Sequence, residues 1–226
     1  MSASENVKRG VREEFDAKAA HYETNRLAGW YKAHNNIIAA HLNPQKDDTL
    51  LDIGCATGYL IRRTLGMYPG MSAIGVDLSP GMVAAARRSA QDMSDRVRFF
   101  CDDWDAPGSA LRDALQKRDV DLAVCASGFH YFGDPVGALR RIRQSLAPGG
   151  ALLLLERRRE RSLPTIAWDL AHRHLIRDHV RFYTSAELCD MIGRAGFSQH
   201  EVVRTVRKIF WKNKVSSNLI LIKAVR

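Results

Sequence analysis

Apolar positions along this chain change their spacing in a regular order. Val7, Val11, Phe15 and Ala19 recur at four-residue intervals, which predicts an amphipathic helix over residues 5–20; a second helix fits Leu27 to Leu42, stopping near Asn43-Pro44. The pattern then becomes an alternation. Short apolar runs at 49–53, 72–77, 96–101, 119–125 and 149–155 read as buried strands, and segments at helical spacing over 57–67, 80–91, 108–117 and 134–146 read as helices between them. Ser79-Pro80 suits a helix start, with the serine as cap and the proline at the first helical position. Pro148-Gly149-Gly150 breaks the chain before the fifth run. Strand regularly followed by helix predicts an α/β fold, a doubly wound and mostly parallel sheet with helices on both faces. Further on, Thr184 or Ser185 caps a helix from Ala186 to Ala195 that ends at Gly196, and 199–209 and 216–224 read as two last strands.

The first strand carries the first sign of chemistry. Leu50-Leu51-Asp52-Ile53-Gly54-Cys55-Ala56-Thr57-Gly58 is a buried strand running into a tight turn bracketed by two glycines, and a helix follows from Tyr59. Glycines let a ligand approach the backbone closely, and the helix start aims free N–H groups at it. The second strand ends in Asp77, about 23 residues after Gly54, a spacing at which a carboxylate can take the hydroxyls of a ribose. The turn is G-x-A-x-G and lacks the third glycine of dinucleotide-binding loops. A nicotinamide dehydrogenase would also need a separate catalytic domain, and the remaining length does not supply one.

Taken together, LDIGCATGY, GVDLSPGMV, VRFFCDDW, DLAVCASGFHYFGDP and LAPGGALLLL resemble the ordered motifs of class I S-adenosylmethionine-dependent methyltransferases, closest to the small-molecule branch. The resemblance covers residues 45–156 motif by motif. One departure is Ala56, where the family has its second motif glycine. The resemblance implies a Rossmann-like seven-stranded sheet whose last strand is antiparallel, and S-adenosyl-L-methionine as cofactor. It places Asp52, Gly54, Ala56, Gly58, Asp77, Leu78, Met82 and Ala126 around that cofactor. Asp103 falls where the family places the acid that accepts from the adenine amino group, with Trp104 beside it; a turn or cap pair is the plainer reading of Asp102 and Asp103. Residues 1–44 would form a helical lid in which Tyr22 reaches the cofactor or the acceptor and Trp30 and Tyr31 stand near the acceptor; the plainer reading makes each a packing aromatic.

His130 and Tyr131 would face the methyl group; His130, Tyr131, Tyr183 and His172 are all candidates for a general base, and His130 could instead orient the acceptor or be a buried structural histidine. Ala126-Ser127-Gly128-Phe129 is not the Asn/Asp-Pro-Pro-Tyr/Phe signature of enzymes that methylate exocyclic amino groups of bases or glutamine. Residues 157–226 would cap the acceptor, with Arg157, His172 and Tyr183 as acceptor contacts, and complete a single domain. His172-x-His174 is not a helical metal pair, because positions two apart do not share a face, so no metal is expected.

Composition adds limits. The chain has 226 residues, 46% of them hydrophobic, enough for a real core. Cys55, Cys101, Cys125 and Cys189 are scattered without metal spacing and read as reduced thiols of a cytoplasmic protein. The first ten residues lack an apolar signal core, and the run Ala151 to Leu155 is too short to span a bilayer. From Arg157 onward there are 15 Lys/Arg and 6 Asp/Glu, so this part holds the entire net charge of +9. That asymmetry fits an anionic acceptor or a solvated basic face. The favoured reading is a methyltransferase acting on O, N, S or C of a small molecule, as monomer or homodimer and without a membrane partner. The alternatives are a nucleic-acid methyltransferase that holds phosphates with its basic part, and a non-catalytic relative that keeps only cofactor binding.

Overall fold

The computed structural model describes residues 3–25, 28–159, 181–206, 209–211, 214–216 and 218–226. Helices α1 (Ala3–Lys18) and α2 (Ala28–Ala39) come first, with a 3-10 turn at Ala19–His21 after α1. The alternating part then runs β1 (Thr49–Ile53), α3 (Tyr59–Met67), β2 (Ser72–Asp77), α4 (Pro80–Ser89), β3 (Val97–Cys101), α5 (Ser109–Gln116), β4 (Val120–Ala126), α6 (Pro135–Ser145) and β5 (Leu146–Arg157). Helix α7 (Ser185–Arg194) and strands β6 (Gln199–Val206), β7 (Ile209–Trp211), β8 (Lys214–Ser216) and β9 (Leu219–Val225) close the chain.

Seven strands form one sheet in the order β3-β2-β1-β4-β5-β9-β6. The first five are parallel; β9 lies between β5 and β6 and is antiparallel to both. This is the sheet the motif resemblance implies. The small β7–β8 ladder is separate, and the expected strand over 199–209 is divided between β6 and β7.

The strands alternate between two apolar layers. Leu51, Ile53, Ile74, Val76, Leu152 and Leu154 face one side, with Leu139 and Ile142 of α6 and Leu188 and Ile192 of α7. Leu50, Ala73, Val124, Leu153 and Leu155 face the other, with Ile38 of α2, Ile61 and Leu65 of α3, and Val83 of α4. Each of the leucine, isoleucine and valine side chains contributes about 1.5–3 kcal/mol when fully buried, so the sheet is a rigid platform. Asp134 and Thr184 cap α6 and α7, Thr184 in a reciprocal pair with Glu187. The chain leaves β1 in one direction towards β2 and β3 and later returns to β1's other side with β4. The carboxyl ends of β1 and β4 therefore splay apart, which is where open α/β sheets collect ligands.

Candidate active site

A cavity of about 440 Å³ lies at that splay. Its base consists of the ends of β1, β2, β4 and β5, and its cover is α1, Tyr22 and α2. The glycine turn after β1 shapes the base. Gly54 has φ +77, and an added Cβ there would meet nothing within 4 Å. Gly58 has φ +72 but faces the other way, because its missing Cβ would lie 2.9 Å from the Phe99 ring. Gly58 does not line the cavity; it lets β3's Phe99 pack beneath the turn. Ala56 also sits at φ +47, a left-handed conformation that costs a non-glycine residue on the order of 1 kcal/mol.

Asp77 holds this turn. Its two carboxylate oxygens accept from the Ala56 N–H at 2.8 Å and the Ser79 N–H at 2.9 Å. Burial, opposed in part by these hydrogen bonds, pushes its carboxyl up to about 6. Burial, with the Asp77 charge adding to it, pushes Asp52 up to about 7. Among the described residues neither carboxyl has a cationic partner, and both border the cavity.

The cover is pinned by polar contacts to the base. Lys8 of α1 reaches Asp103 at 2.7 Å and Asp105 at 2.6 Å. Asp16 accepts from the Ser79 hydroxyl and, at 2.8 Å, from the Gly81 N–H. Glu23 accepts from Thr57 at 2.6 Å and from Arg62 at 2.7 Å. Asp102 caps its own turn, accepting from the N–H groups of Asp103 and Gly108. Trp104 borders the cavity, but its ring is largely in the core and its indole N–H donates to the Ala138 carbonyl.

Aromatic rings line the space under α1 and α2. Tyr22 and Tyr31 stack with centroids 4.3 Å apart, and Trp30 meets Tyr31 edge-on at 5.1 Å. Burial, with Tyr31 and Asp77 nearby, raises the Tyr22 phenol well above its usual value and keeps it neutral. Phe15 and Tyr131 approach edge to face at 6.3 Å.

Beside Tyr131 lies a histidine–carboxylate pair. Glu156, at the end of β5, is fully buried, and its Oε1 is 2.9 Å from His130 Nδ1. The same carboxylate accepts from the N–H groups of Phe129, His130 and Arg157. Burial opposes its charge, yet His130 and these hydrogen bonds hold its carboxyl below the usual range. The ring of His130 also packs on Phe182 at 4.9 Å, and the Arg157 guanidinium stands 5.8 Å from that phenyl centroid.

The structure thus brings Tyr22, Trp30, Tyr31, Asp52, Gly54, Ala56, Asp77, Leu78, Asp103, Trp104, Ala126, His130, Tyr131 and Arg157 to one cavity. It places three of the expected site residues elsewhere. Gly58 faces Phe99; Met82 is wholly buried beneath the Ser79 cap; and Tyr183 packs in the core against Phe129 at 5.7 Å, so that none of the three borders the space. His172 lies outside the described residues. Sequence reasoning missed Glu156, His34 and Lys8. Glu156 follows an apolar run at a strand's carboxyl end, which was the available signal, but it also opens a run of charges.

A family model described as a methyltransferase domain matches residues 20–202, well over half of the chain. The chain belongs to this family, the class I S-adenosylmethionine-dependent methyltransferases. It is 35% identical over 173 residues to acetylserotonin O-methyltransferase of Mus musculus, an alignment covering 72% of this chain and 42% of that protein. It is 27% identical over 138 residues to malonyl-[acyl-carrier protein] O-methyltransferase of Acetivibrio thermocellus, covering 61% of this chain and 46% of that one. The chain spans less than half the length of these two relatives. Among solved structures, human N-acetylserotonin methyltransferase superposes with a TM-score of 0.64 at 19% identity, over 93% of this chain and 56% of that one, a likeness of fold.

The donor set suits the family's cofactor. Two buried carboxyls without cationic partners among the described residues match a ligand that brings an ammonium group and a ribose diol. The open face of Gly54 leaves room for its backbone-like methionine part.

Proposed function

We propose that the protein methylates a hydroxyl of a small, planar acceptor, with His130 as general base and Glu156 behind it. The observation that carries this reading is the buried His130–Glu156 contact beside the cavity. Asp52 and Asp77 would hold the cofactor's ammonium and ribose, and Asp103 its adenine amino group, sharing that carboxylate with Lys8. S-adenosylmethionine supplies a sulfonium methyl group already activated for in-line displacement. The chain's own task is then to place the acceptor, exclude water and take one proton.

Placement falls to the aromatic cover, and holding two reactants in line is worth on the order of 7–11 kcal/mol. Proton removal falls to His130. Glu156 fixes the ring by its contact at Nδ1, and the other ring nitrogen, Nε2, would take the acceptor proton. A hydroxyl acceptor needs such a base, whereas a thiolate or neutral amine does not, so a base backed by a carboxylate favours oxygen. The relatives named for O-methylation of malonyl-[acyl-carrier protein] and acetylserotonin support the same choice. Arg157 offers a cation to an acidic substituent of the acceptor, stacked against Phe182. The test is transfer of a radiolabelled methyl group from S-adenosylmethionine to a panel of phenols, amines and thiols. Labelled phenol ethers are expected, and labelling of only amines or thiols would overturn the oxygen assignment.

A further inference from the structure

His34, on α2, borders the cavity, and the mechanism above gives it no task. It is 3% exposed, and its ring centre is 3.8 Å from that of Trp30. Nδ1 pairs with the Ser127 hydroxyl at 2.8 Å. Nε2 is buried and has no hydrogen-bond partner among the described residues. A buried polar atom left unpaired costs about 1–3 kcal/mol, so one that borders a cavity calls for a ligand. Ser127 is held for this contact in an unfavourable backbone conformation, φ +55, by its N–H bond to the Leu155 carbonyl at 2.7 Å.

Burial, with the Arg157 charge adding to it, pulls the His34 ring down to about 3, so it is neutral at any physiological pH. A neutral ring offers a hydrogen bond and no charge, which sets His34 apart from His130 with its buried carboxylate. A hydroxyl satisfies Nε2 in either tautomer, because it both donates and accepts. The neighbouring groups are aromatic: Trp30 packs tilted on the ring itself and meets Tyr31 edge-on, and Tyr22 stacks on Tyr31. Aromatic walls favour an aromatic ligand, through edge-to-face and offset contacts.

We propose that His34, positioned by Ser127, is the recognition point that selects planar aromatic acceptors carrying a ring hydroxyl. The inference rests on the small-molecule reading above. Its test uses the full chain saturated with S-adenosylhomocysteine and calorimetric titration with two matched pairs, 6-hydroxyquinoline against quinoline and 7-hydroxycoumarin against coumarin. The parent protein is expected to bind at least one hydroxyl compound about tenfold more tightly than its partner. His34→Phe, which keeps the stacking on Trp30, should bring that ratio to within about twofold, with S-adenosylhomocysteine affinity unchanged. His34→Gln, which keeps a hydrogen-bonding group, should restore part of it, and Ser127→Ala should lower it at least about threefold. If His34→Phe does not fold, the Gln and Ala variants decide. Equal binding within both pairs by the parent, or an undiminished preference in the variants, overturns the proposal. Failure of the parent to bind S-adenosylhomocysteine instead overturns the methyltransferase reading on which it rests.

Discussion

Replacing Glu156 by glutamine tests the proposed base most sharply. Oε2 accepts from two backbone N–H groups, and Oε1 accepts from the Arg157 N–H at 2.6 Å while contacting His130 Nδ1 at 2.9 Å. The amide oxygen of glutamine suits the first side. Its NH₂ group then faces the Arg157 N–H, donor against donor, and asks His130 Nδ1 to accept. The ring proton moves to Nε2, so the atom that should take the acceptor proton already carries one. Removing general-base catalysis costs about a hundredfold to ten-thousandfold, and kcat of Glu156→Gln should fall within that range while the acceptor KM changes little. The unmatched buried donor costs about 1–3 kcal/mol, which for a domain of this size lowers Tm by roughly 2–12 °C. Single-turnover transfer of labelled methyl, beside melting followed by circular dichroism, separates the two effects. A double-mutant cycle with His130→Asn should show that the second change adds almost nothing to the first. A folded Glu156→Gln enzyme within threefold of the parent, or two fully additive losses, would refute the dyad.

Three further outcomes follow from the base of the cavity. Asp52 and Asp77 hold their protons more tightly in the folded chain than in the unfolded one, so the ligand-free protein should lose stability as pH rises from about 4 through about 7. A cofactor that brings an ammonium group binds the ionised carboxylates, so S-adenosylhomocysteine affinity should fall about tenfold between pH 8 and pH 6; calorimetry showing a flat profile would remove Asp52 from the site. Gly58→Ala places a Cβ against Phe99 at a left-handed position and should cost about 2–3 kcal/mol of stability in denaturant titration, whereas Gly54→Ala should weaken cofactor binding more than it weakens the fold.

The sheet was legible because buried parallel strands are short apolar runs and two of the helices between them open with a capping side chain and a proline, Ser79-Pro80 and Asp134-Pro135. The placement of Asp52, Asp77 and Gly54 was legible too, since a residue at a strand's carboxyl end has one place to go. Side-chain direction was not. Gly58 belongs to the motif, yet the need it serves is the Phe99 ring, supplied by a strand about 40 residues later. Tyr183 joins the core because Arg159 and Arg158 pair its backbone to the end of β5, which fixes its ring against Phe129. His34 and Ser127 are 93 residues apart, and nothing local in either stretch announces the other. Glu156 was hidden by its neighbours: three arginines follow it and suggest a solvated turn, whereas its own carboxylate is buried under four hydrogen-bonding contacts.

The account stands most directly on the carboxylates at the ends of β1 and β2. Titration of the purified chain with S-adenosylmethionine should show one molecule bound, and Asp77→Ala should weaken that binding by about 1.5–3 kcal/mol, roughly 10- to 150-fold, the range for a hydrogen bond to a charged group. A parent protein that does not bind S-adenosylmethionine, or an Asp77→Ala variant that binds it equally well, would contradict the assignment of this cavity.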